Sequence, residues 1–299
     1  MIHRFLEKLS KFRDDVLGMN ARNLAYIYRL NPRRLFSAAD DKVLAADLMA
    51  RAGVPVPRRL AVFEDRRNLE RLDAIVEPLE GFAVKPVRGF GGKGVAVLRR
   101  NSAGTFVAPG PRGEVEFDVE AIREHILAIL AGVYSLERES DRAFLEELIE
   151  PEEVLGALAY RGLPDVRVLV CEGRAVMAMV RVPTRASGGR ANLHQGALGL
   201  GVDLASGRTS GAVCRGRPVG RHPDTGAALE SFEVPRWPEV LEFARRAAAA
   251  IGLGYLGADV VLDRVRGPLV MEANARPGLT IQLANRRGLA RALRQGGAP

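Results

Sequence analysis

Two apolar segments near the C-terminus are separated by a short polar turn. The first covers residues 254–263 and the second begins at Leu269, with the turn around residues 264–267 between them. Apolar segments of this length that flank a short turn are typical of an antiparallel β-hairpin. In that hairpin we expect Asp259 to lie beside Glu272.

The second strand ends in polar side chains at alternate positions. Successive side chains of a strand face opposite ways, so Glu272, Asn274 and Arg276 are predicted to share one face. With Asp259 they offer two carboxylates and an amide oxygen, and the adjoining sequence holds no His or Cys. Such a hard oxygen site suits Mg²⁺ that carries nucleotide phosphates better than zinc. The alternative is an ordinary hairpin with a polar solvent face, but the Arg-Pro-Gly sequence at 276–278 favours the metal site.

A glycine-rich segment joins two other predicted strands. It connects strand Phe82–Pro86 to strand Val95–Leu98 and contains Gly91, Gly92 and Gly94. Glycines let successive backbone N–H groups close on a polyanion. The P-loop and the dinucleotide fingerprint both lead into a helix, so a strand–loop–strand arrangement excludes them. Beside a plain hairpin turn, a flap that covers phosphates therefore remains.

Lysine is rare in this chain although cations are abundant. Of the 44 Lys and Arg residues only five are Lys, at positions 8, 11, 42, 85 and 93. Because arginine occupies almost every other cationic position, a lysine indicates a place that needs a compact point charge, as at a phosphate. Lys85 ends the strand before the glycine-rich segment, which makes it a candidate phosphate ligand.

The remaining periodicity predicts a mixed α+β chain. Apolar residues at helical spacing predict helices at residues 41–52, 120–131, 237–251 and 279–293. Residues 166–171 and 175–182 flank a Glu-Gly-Arg turn and are predicted to form a second hairpin. Residues 108–113 are rich in Pro and Gly and are predicted to form a loop.

Length and composition favour a folded chain with two lobes. The chain has 299 residues, of which 47% are hydrophobic, an ordinary fraction for a globular protein. No apolar run approaches the roughly 18 residues of a membrane helix, and the N-terminus lacks the apolar core of a signal peptide. We therefore expect no transmembrane segment and a cytoplasmic location. Cys171 and Cys214 fall on predicted strands, where small buried apolar side chains are favoured over a redox pair.

The formal net charge of +8 is concentrated at the two ends of the chain. Residues 1–37 carry a net charge of +5 and residues 283–299 carry +4, so the body is nearly neutral. Basic ends attract nucleic acid, an anionic membrane surface or an acidic protein, or they only confer solubility. Of these partners we do not expect nucleic acid, and an acidic peptide or protein acceptor is our hypothesis.

Together these segments resemble the ATP-grasp superfamily, and within it the carboxylate–amine ligases of the ribosomal-protein glutamate ligase (RimK) type. The similarity extends over roughly residues 40–289 and follows the order of the family. The similar segments are Asp41-Lys42, the glycine-rich loop after Lys85, the hinge-like strand 144–149, the Asp-Val-Arg strand 165–167, the Gly-Arg-Ala-Asn-Leu-His-Gln-Gly segment 189–196, and Asp259, Glu272 and Asn274.

The resemblance implies an α+β ATP-grasp fold, with ATP between two α+β lobes. Residues 1–37 would be a basic helical segment in place of the domain that usually precedes the fold. Residues 38–142 would be the small lobe with the flap, and residues 143–299 the large lobe with the hinge strand and metal site. Because the usual preceding domain helps to hold the acceptor, the substrate-recognition half is expected to be missing, replaced or supplied by a partner.

The resemblance also implies ATP and two Mg²⁺ ions, or Mn²⁺, as cofactors. The implied ATP ligands are Lys42, Lys85, Gly91, Gly92, Gly94, Glu147, Leu148, Ile149, Asp165, Arg167 and Asn192, and the implied metal ligands are Asp259, Glu272 and Asn274. Arg190 and Arg276 are the implied catalytic residues, which neutralise the transferring phosphoryl group or an oxyanion. Asp165 would position either the ribose or the guanidinium of Arg167, and Arg167 would pair with Asp165 or contact a phosphate.

The implied activity joins a carboxylate substrate to an amine substrate through an acyl phosphate. An amino acid such as glutamate would be added to a peptide or a small-molecule acceptor. Two alternatives stay open: an ATP-grasp kinase that stops after phosphoryl transfer, and a non-catalytic nucleotide-binding partner protein. Retention of Lys85 and of the metal ligands argues against the second. The oligomeric state is open, and a homo-oligomer is compatible with the sequence.

Overall fold

The computed structural model describes residues 15–89, 91–110, 113–135 and 139–295. The chain forms two compact units. The large unit contains the N-terminal residues up to Asp40, together with Leu44–Val56 and the chain from Glu150 onward. The small unit contains Asp41–Val43 and Pro57–Ile149. The domain boundaries predicted after residues 37 and 142 stay predictions.

The small unit is built on a six-stranded antiparallel sheet with the order β1-β6-β2-β3-β4-β5. Its strands are β1 Arg59–Phe63, β2 Gly81–Pro86, β3 Ala96–Arg100, β4 Phe106–Gly110, β5 Gly113–Phe117 and β6 Ala143–Glu147. The helices Leu72–Val76 and Val119–Leu130 pack their apolar residues with those of the sheet in one core. Asp118 caps the longer helix by accepting a hydrogen bond from the N–H of Ala121, which confirms the helix predicted at 120–131.

The prediction of a loop over residues 108–113 is wrong at both ends of this range. Strand β4 extends to Gly110 and β5 begins at Gly113, and Gly110 pairs with Gly113 at the end of this hairpin. Pro109 lies within β4 and faces Glu114. Pro and Gly favour loops, but Pro is tolerated in strands near a sheet edge, and Gly at a hairpin end.

The large unit is built on a seven-stranded antiparallel sheet with the order β11-β10-β9-β8-β7-β12-β13. Its strands are β7 Asp165–Cys171, β8 Arg174–Val182, β9 Leu198–Val202, β10 Thr209–Cys214, β11 Arg217–Val219, β12 Tyr255–Asp263 and β13 Gly267–Asn274. Both predicted hairpins, β7–β8 and β12–β13, are confirmed. Strand β7 also pairs with β12, so the two hairpins lie side by side at one end of the sheet.

Helices cover both faces of the large sheet. Trp237–Ile251 spans the predicted residues and buries Val240, Ala244 and Ala247 in one apolar cluster. A second cluster joins apolar residues of the sheet to Leu17, Ile27 and Leu289 from the two ends of the chain. The other helices of this unit or next to it are Met19–Arg22, Tyr28–Leu30, Phe36–Asp40, Lys42–Arg51 and Glu153–Gly156, with a π-helical turn at Asn23–Ile27 and a 3-10 turn at Arg33–Leu35.

The single helix predicted at residues 279–293 is wrong, because two short helices replace it. They are Ile281–Ala284 and Leu289–Gln295. Between them Arg286 has a left-handed φ of 47°. At Gly288 an added Cβ would lie only 2.0 Å from the carbonyl oxygen of Asp15, so the chain turns where it meets the N-terminal part.

The fold class predicted from the sequence is confirmed: two antiparallel sheets with packed helices form an α+β chain. Both cysteines are free and lie on strands, as predicted. Cys171 is buried as expected, whereas Cys214 is only half-buried. Burial raises the pKa of the Cys171 thiol to about 11, which keeps it protonated and unreactive. Among the described residues, no helix is both long enough and apolar enough to cross a bilayer. The part of the predicted N-terminal segment before residue 15 lies outside the described residues.

Candidate functional site

Asp259 and Glu272 are direct neighbours on β12 and β13, as predicted. They form a cross-strand pair, and a register shift follows because Val260 pairs with Val270. Met271 is thus an extra residue in β13, a bulge that re-aims the side chains beside it. Asp259 is 2% exposed, whereas Glu272 is half-buried.

Two arginines hold the carboxylate of Asp259. Arg167 donates from Nε to Oδ1 over 2.7 Å and from Nη2 to Oδ2 over 2.6 Å. Arg181 Nη2 lies 2.8 Å from Oδ2, and Asn274 Nδ2 donates to the same oxygen over 3.1 Å. Burial by itself raises the pKa of Asp259, but the charges of Arg167 and Arg181 outweigh it and lower that pKa. Asp259 is therefore a carboxylate at neutral pH.

Arg181 is central to this network, although no sequence motif indicates it. Its Nε donates to Asp165 Oδ1 over 2.6 Å, and its Nη2 bonds to the second oxygen of Asp165. Burial raises the pKa of Asp165 to about 6, against the charge of Arg181, which lowers it. The structure thus pairs Asp165 with Arg181, and Arg167 with Asp259. Arg181 could have been found, because the predicted hairpin places it opposite Asp165.

The donor set at β12 and β13 fits a hard cation such as Mg²⁺. Asn274 donates its amide N–H to Asp259, so the Oδ1 atom of Asn274 points away from Asp259. Glu272 adds a second carboxylate. Carboxylate and amide oxygens are the ligands that Mg²⁺ prefers. Within the described part of the chain no three His, Cys, Asp or Glu side chains form a metal-binding cluster. The positive charge opposite Asp259 comes from the arginines, and Mg²⁺ would be held mainly by Glu272 and Asn274.

Arg276 lies two residues beyond β13 and contacts the N-terminal part of the large unit. Its Cζ lies 4.4 Å from the ring centroid of Phe36, and its Nη1 lies 4.0 Å from Asp40 Oδ2. The side chain is 56% exposed, so its guanidinium remains accessible to a ligand. A cation above an aromatic face is held electrostatically as well as by contact.

The segment 190–196 forms a turn close to the loop after β13. Asn192 Oδ1 accepts a hydrogen bond from the N–H of His194 over 3.0 Å and so caps the 3-10 turn Leu193–Gln195. A Cβ on Gly278 would lie 3.5 Å from Nε2 of His194, which makes the two loops neighbours. Asn192 is thus the capping residue of this turn, and Arg190 precedes Asn192 by two residues.

The candidate ATP ligands of the small unit lie at the start of the helix Lys42–Arg51, on β2 and β6, and in the loops that follow these two strands. Lys85 on β2 forms an ion pair with Glu146 on β6, and both side chains are largely buried. Lys42 Nζ donates to the carbonyl oxygen of Gly89 over 2.7 Å, at the start of the glycine-rich segment. Glu147 accepts from the N–H of Arg58 over 2.7 Å. Glu146 is not among the predicted site residues, although the Glu-Glu pair at 146–147 must place one carboxylate on each face of β6.

The glycine-rich segment connects antiparallel strands, as predicted. Gly91, Gly92 and Gly94 have φ values of 63°, 73° and 74°, in the left-handed region that favours glycine. The carbonyl oxygen of Gly94 lies 2.9 Å from His125 Nε2. The Tyr134 hydroxyl lies 3.4 Å from the other ring nitrogen of His125, so these two side chains hold the end of the segment.

The model of the sugar-transfer associated ATP-grasp family matches residues 21–297. The chain belongs to this family. The sequence-based assignment to the ATP-grasp superfamily is therefore confirmed, and so is the fold that it implied. ATP and Mg²⁺ are the cofactors that ATP-grasp proteins use. The individual site residues stay predictions.

Curated relatives of this ATP-grasp chain include named ligases. It is 24% identical over 292 residues to a cyanophycin synthetase of Crocosphaera subtropica, covering 85% of this chain and 29% of that protein. It is 25% identical over 254 residues to a "Probable alpha-L-glutamate ligase" of Syntrophotalea carbinolica, covering 85% and 61%. The chain thus spans less than two thirds of the length of these relatives.

A solved structure shows the same fold. The biotin carboxylase of Campylobacter jejuni, in its complex with β,γ-ATP, superposes with a TM-score of 0.55 at 15% identity. The match covers 89% of this chain and 48% of that one. At this identity the likeness shows the ATP-grasp fold alone.

Proposed function

We propose that this chain is an ATP-dependent carboxylate–amine ligase. The observation that carries the proposal is the pairing of Asp259 with Glu272, with Asn274 beside them, in a member of the ATP-grasp family. The curated relatives named as glutamate ligases support ligation over phosphoryl transfer alone.

ATP, when bound, supplies the phosphoryl group that converts the substrate carboxylate into an acyl phosphate. The substrate amine then attacks the acyl carbon, a proton leaves the nitrogen, and the carbon–oxygen bond to phosphate breaks. The chain's own groups position and neutralise charge in both steps. Glu272 and Asn274, with Asp259 behind them, would hold two Mg²⁺ ions, which Mn²⁺ can replace.

The other candidate residues receive roles that fit their surroundings. Lys42 and Lys85 would neutralise the α- and β-phosphates, below the amides of Gly91, Gly92 and Gly94. Glu147 and the backbone of Leu148 and Ile149 would bind adenine. Asp165 and Arg167 would orient Asp259 through the buried network, and Asn192 would shape the loop that presents Arg190. Arg190 and Arg276 would neutralise the transferring phosphoryl group or the oxyanion.

We propose an amino acid such as glutamate as one substrate and an acidic peptide or protein as the acceptor. Arg33 and Arg34 are exposed, and Arg291 and Arg294 lie 3.9 Å and 2.8 Å from the carboxylate of Asp15. Asp15 thus offsets part of the C-terminal charge, and the rest can attract an acidic acceptor. We place the reaction in the cytoplasm, where ATP is abundant.

The test measures ADP and phosphate with carboxylate and amine substrates supplied alone and together. A ligase forms both products, and a new amide mass, only when both substrates are present. Formation of ADP with a phosphorylated single substrate would instead identify a kinase. Absence of ADP under every condition, with ATP still bound, would identify a nucleotide-binding partner protein. An acceptor Michaelis constant that rises with salt, while that of ATP stays constant, would support the acidic acceptor.

A further inference from the structure

The N-terminal segment, residues 15–40, contacts three consecutive residues that directly follow β13. Asn31 Nδ2 lies 3.3 Å from the carbonyl oxygen of Ala275. Phe36 lies under the guanidinium of Arg276 at 4.4 Å, and Arg22 Nη1 donates to the carbonyl oxygen of Pro277 over 2.8 Å. Three separate residues of the segment therefore contact the loop that carries Arg276, one of the two candidate catalytic arginines.

Buried hydrogen bonds fix the segment in this position. Asn31 is 2% exposed, and it exchanges two hydrogen bonds with the backbone of Tyr255, at 2.8 Å and 2.9 Å, as an added strand residue would. Leu17 and the side chain of Gln282 exchange two more, at 2.8 Å and 3.1 Å. A shift of the segment would leave these buried donors and acceptors without partners, which is costly.

Phe36 is suited to orient Arg276. The arginine side chain has several rotatable bonds and is more exposed than buried, so the strand alone does not fix its guanidinium. Phe36 packs against both apolar clusters of the large unit, so the plane of its ring is set by the core. The fixed ring offers a face on which the planar guanidinium stacks.

We propose that Phe36 is a positioning residue for Arg276, and that the N-terminal segment is therefore part of the frame of the active site. The family match begins at residue 21 and so includes Arg22, Asn31 and Phe36. The N-terminal segment thus has a defined role in positioning Arg276, whichever group binds the acceptor. The effect on turnover rests on the proposed ligase function, whereas the hold on Arg276 does not.

The hold on Arg276 is measured by NMR on the whole chain, without substrates. The Nε–Hε signal of Arg276 is assigned by its loss in Arg276→Lys. In the wild type we expect an upfield Hε shift, because the guanidinium of Arg276 lies over the Phe36 ring. Phe36→Leu should remove this shift, and Phe36→Tyr should keep it. Phe243→Leu is the matched control, since Phe243 is equally half-buried against the same core, and it should leave the signal unchanged.

Turnover is measured on the same variants. Phe36→Leu should lower kcat about tenfold while the ATP Michaelis constant stays within about twofold, as expected for a misplaced catalytic group. Phe36→Tyr should restore most of kcat, and adding Phe36→Leu to Arg276→Lys should cause no further loss. An unchanged Hε signal or an unchanged kcat in Phe36→Leu would overturn the inference. A wild type that shows the shift but does not ligate would instead overturn the ligase function and leave the hold on Arg276 standing.

Discussion

Arg181 donates to Oδ2 of Asp259 over 2.8 Å, and the same guanidinium holds Asp165 on the neighbouring strand. With Arg167 these residues form a row of alternating charges across β8, β7 and β12. Buried charges are tolerated when each has a partner of opposite sign. The row therefore fixes the carboxylate of Asp259 beside Glu272. The geometry of the row depends on Arg181, which binds neither ATP nor metal in our proposal.

Replacing Arg181 should destabilise the chain strongly. Arg181→Met leaves Asp165 without its partner and Asp259 with one partner fewer, and breaking a buried pair in this way costs about 3–5 kcal/mol. Arg181→Lys should recover only part of this loss, since a single ammonium cannot bond both carboxylates in the same way.

Urea unfolding at pH 7 measures the difference in the free energy of unfolding between each variant and the wild type. Arg245→Met, in an exposed pair with Glu242, is the control and should change stability by less than about 0.5 kcal/mol. A loss below about 1 kcal/mol at Arg181 would contradict the buried row.

Gly94 should tolerate substitution less well than Gly104. Both have positive φ, 74° and 84°, so alanine strains the backbone at each by about 1 kcal/mol. An added Cβ at Gly94 would also meet the Tyr134 ring at 2.7 Å, whereas the space around Gly104 is open. Gly94→Ala should thus unfold at lower urea and be cut faster by trypsin at Lys93 than Gly104→Ala. Equal behaviour of the two variants would show that Tyr134 does not hold the segment.

Local patterns and a resemblance could predict which strands and hairpins form, because each hairpin is encoded by two apolar segments and the turn between them. They placed Asp259 beside Glu272 and the helix at 237–251 correctly. They failed where distant parts of the chain decide the structure. The predicted last helix is interrupted at Arg286, whose φ is left-handed, close to Gly288, which lies against the backbone of Asp15. A contact with a residue so distant in sequence cannot be predicted from helical periodicity.

The residues of the candidate site divide in the same way, into those predicted from local sequence and those that depend on distant parts of the chain. Residue types that match a family motif were found, whereas their partners were not. Arg181 and Glu146 bind predicted site residues, yet they match no motif. Arg181 is recognised only because it lies opposite Asp165, and Glu146 only because it lies opposite Ala83, two residues from Lys85 on β2. Partners of this kind follow from the register, which requires strand pairing rather than residue identity.

The β12–β13 hairpin should lose stability in acid through Asp263. This buried carboxylate accepts from the N–H groups of Val265 and Arg266 over 3.0 Å and 2.9 Å, and from the Arg266 guanidinium over 2.8 Å. Burial alone raises the pKa of Asp263, but these hydrogen bonds outweigh it and lower that pKa well below its usual range. Its stabilising contribution is therefore complete above the unfolded-state pKa of about 4 and is lost as pH falls toward the folded-state pKa.

Asp263→Asn should accordingly be destabilised by about 1–3 kcal/mol at pH 7, and the difference from the wild type should shrink below pH 4. Unfolding free energies between pH 2 and pH 7 measure it. Asp73→Asn, at an exposed ion pair with Arg123, should show a small difference that varies little with pH. A constant loss for Asp263→Asn over this range would mean that the charge of Asp263 is unimportant.

Lys85→Arg should weaken ATP binding although the charge is kept. The Lys85 ammonium fits beside Glu146 in a largely buried place, and the planar guanidinium is larger and donates in a different geometry. We expect about tenfold weaker binding, or about 1.4 kcal/mol, by calorimetry with Mg²⁺ present. Lys93→Arg, exposed in the glycine-rich segment, should bind within about twofold of the wild type. Lys8 and Lys11, also candidates for comparison, lie outside the described residues. If arginine were tolerated equally well at Lys85 and Lys93, the scarcity of lysine would no longer indicate that Lys85 is a phosphate ligand.

Glu272→Ala should remove metal binding while the fold remains intact. Glu272 is half-buried beside Asp259, whose own oxygens accept from Arg167 and Arg181. In our proposal Glu272 is the carboxylate that bridges the two ions. We expect the wild type with ADP to bind about two Mn²⁺ per chain in EPR titrations, and Glu272→Ala to lose both and at least about a hundredfold in turnover. Asn274→Asp should be milder, because a carboxylate oxygen replaces the amide oxygen. Glu230→Ala, at an exposed position of the same unit, should match the wild type in Mn²⁺ binding and melting temperature. If Glu272→Ala kept two bound Mn²⁺ ions, the metal would have to be held elsewhere, and the pairing of Asp259 with Glu272 would no longer support a ligase.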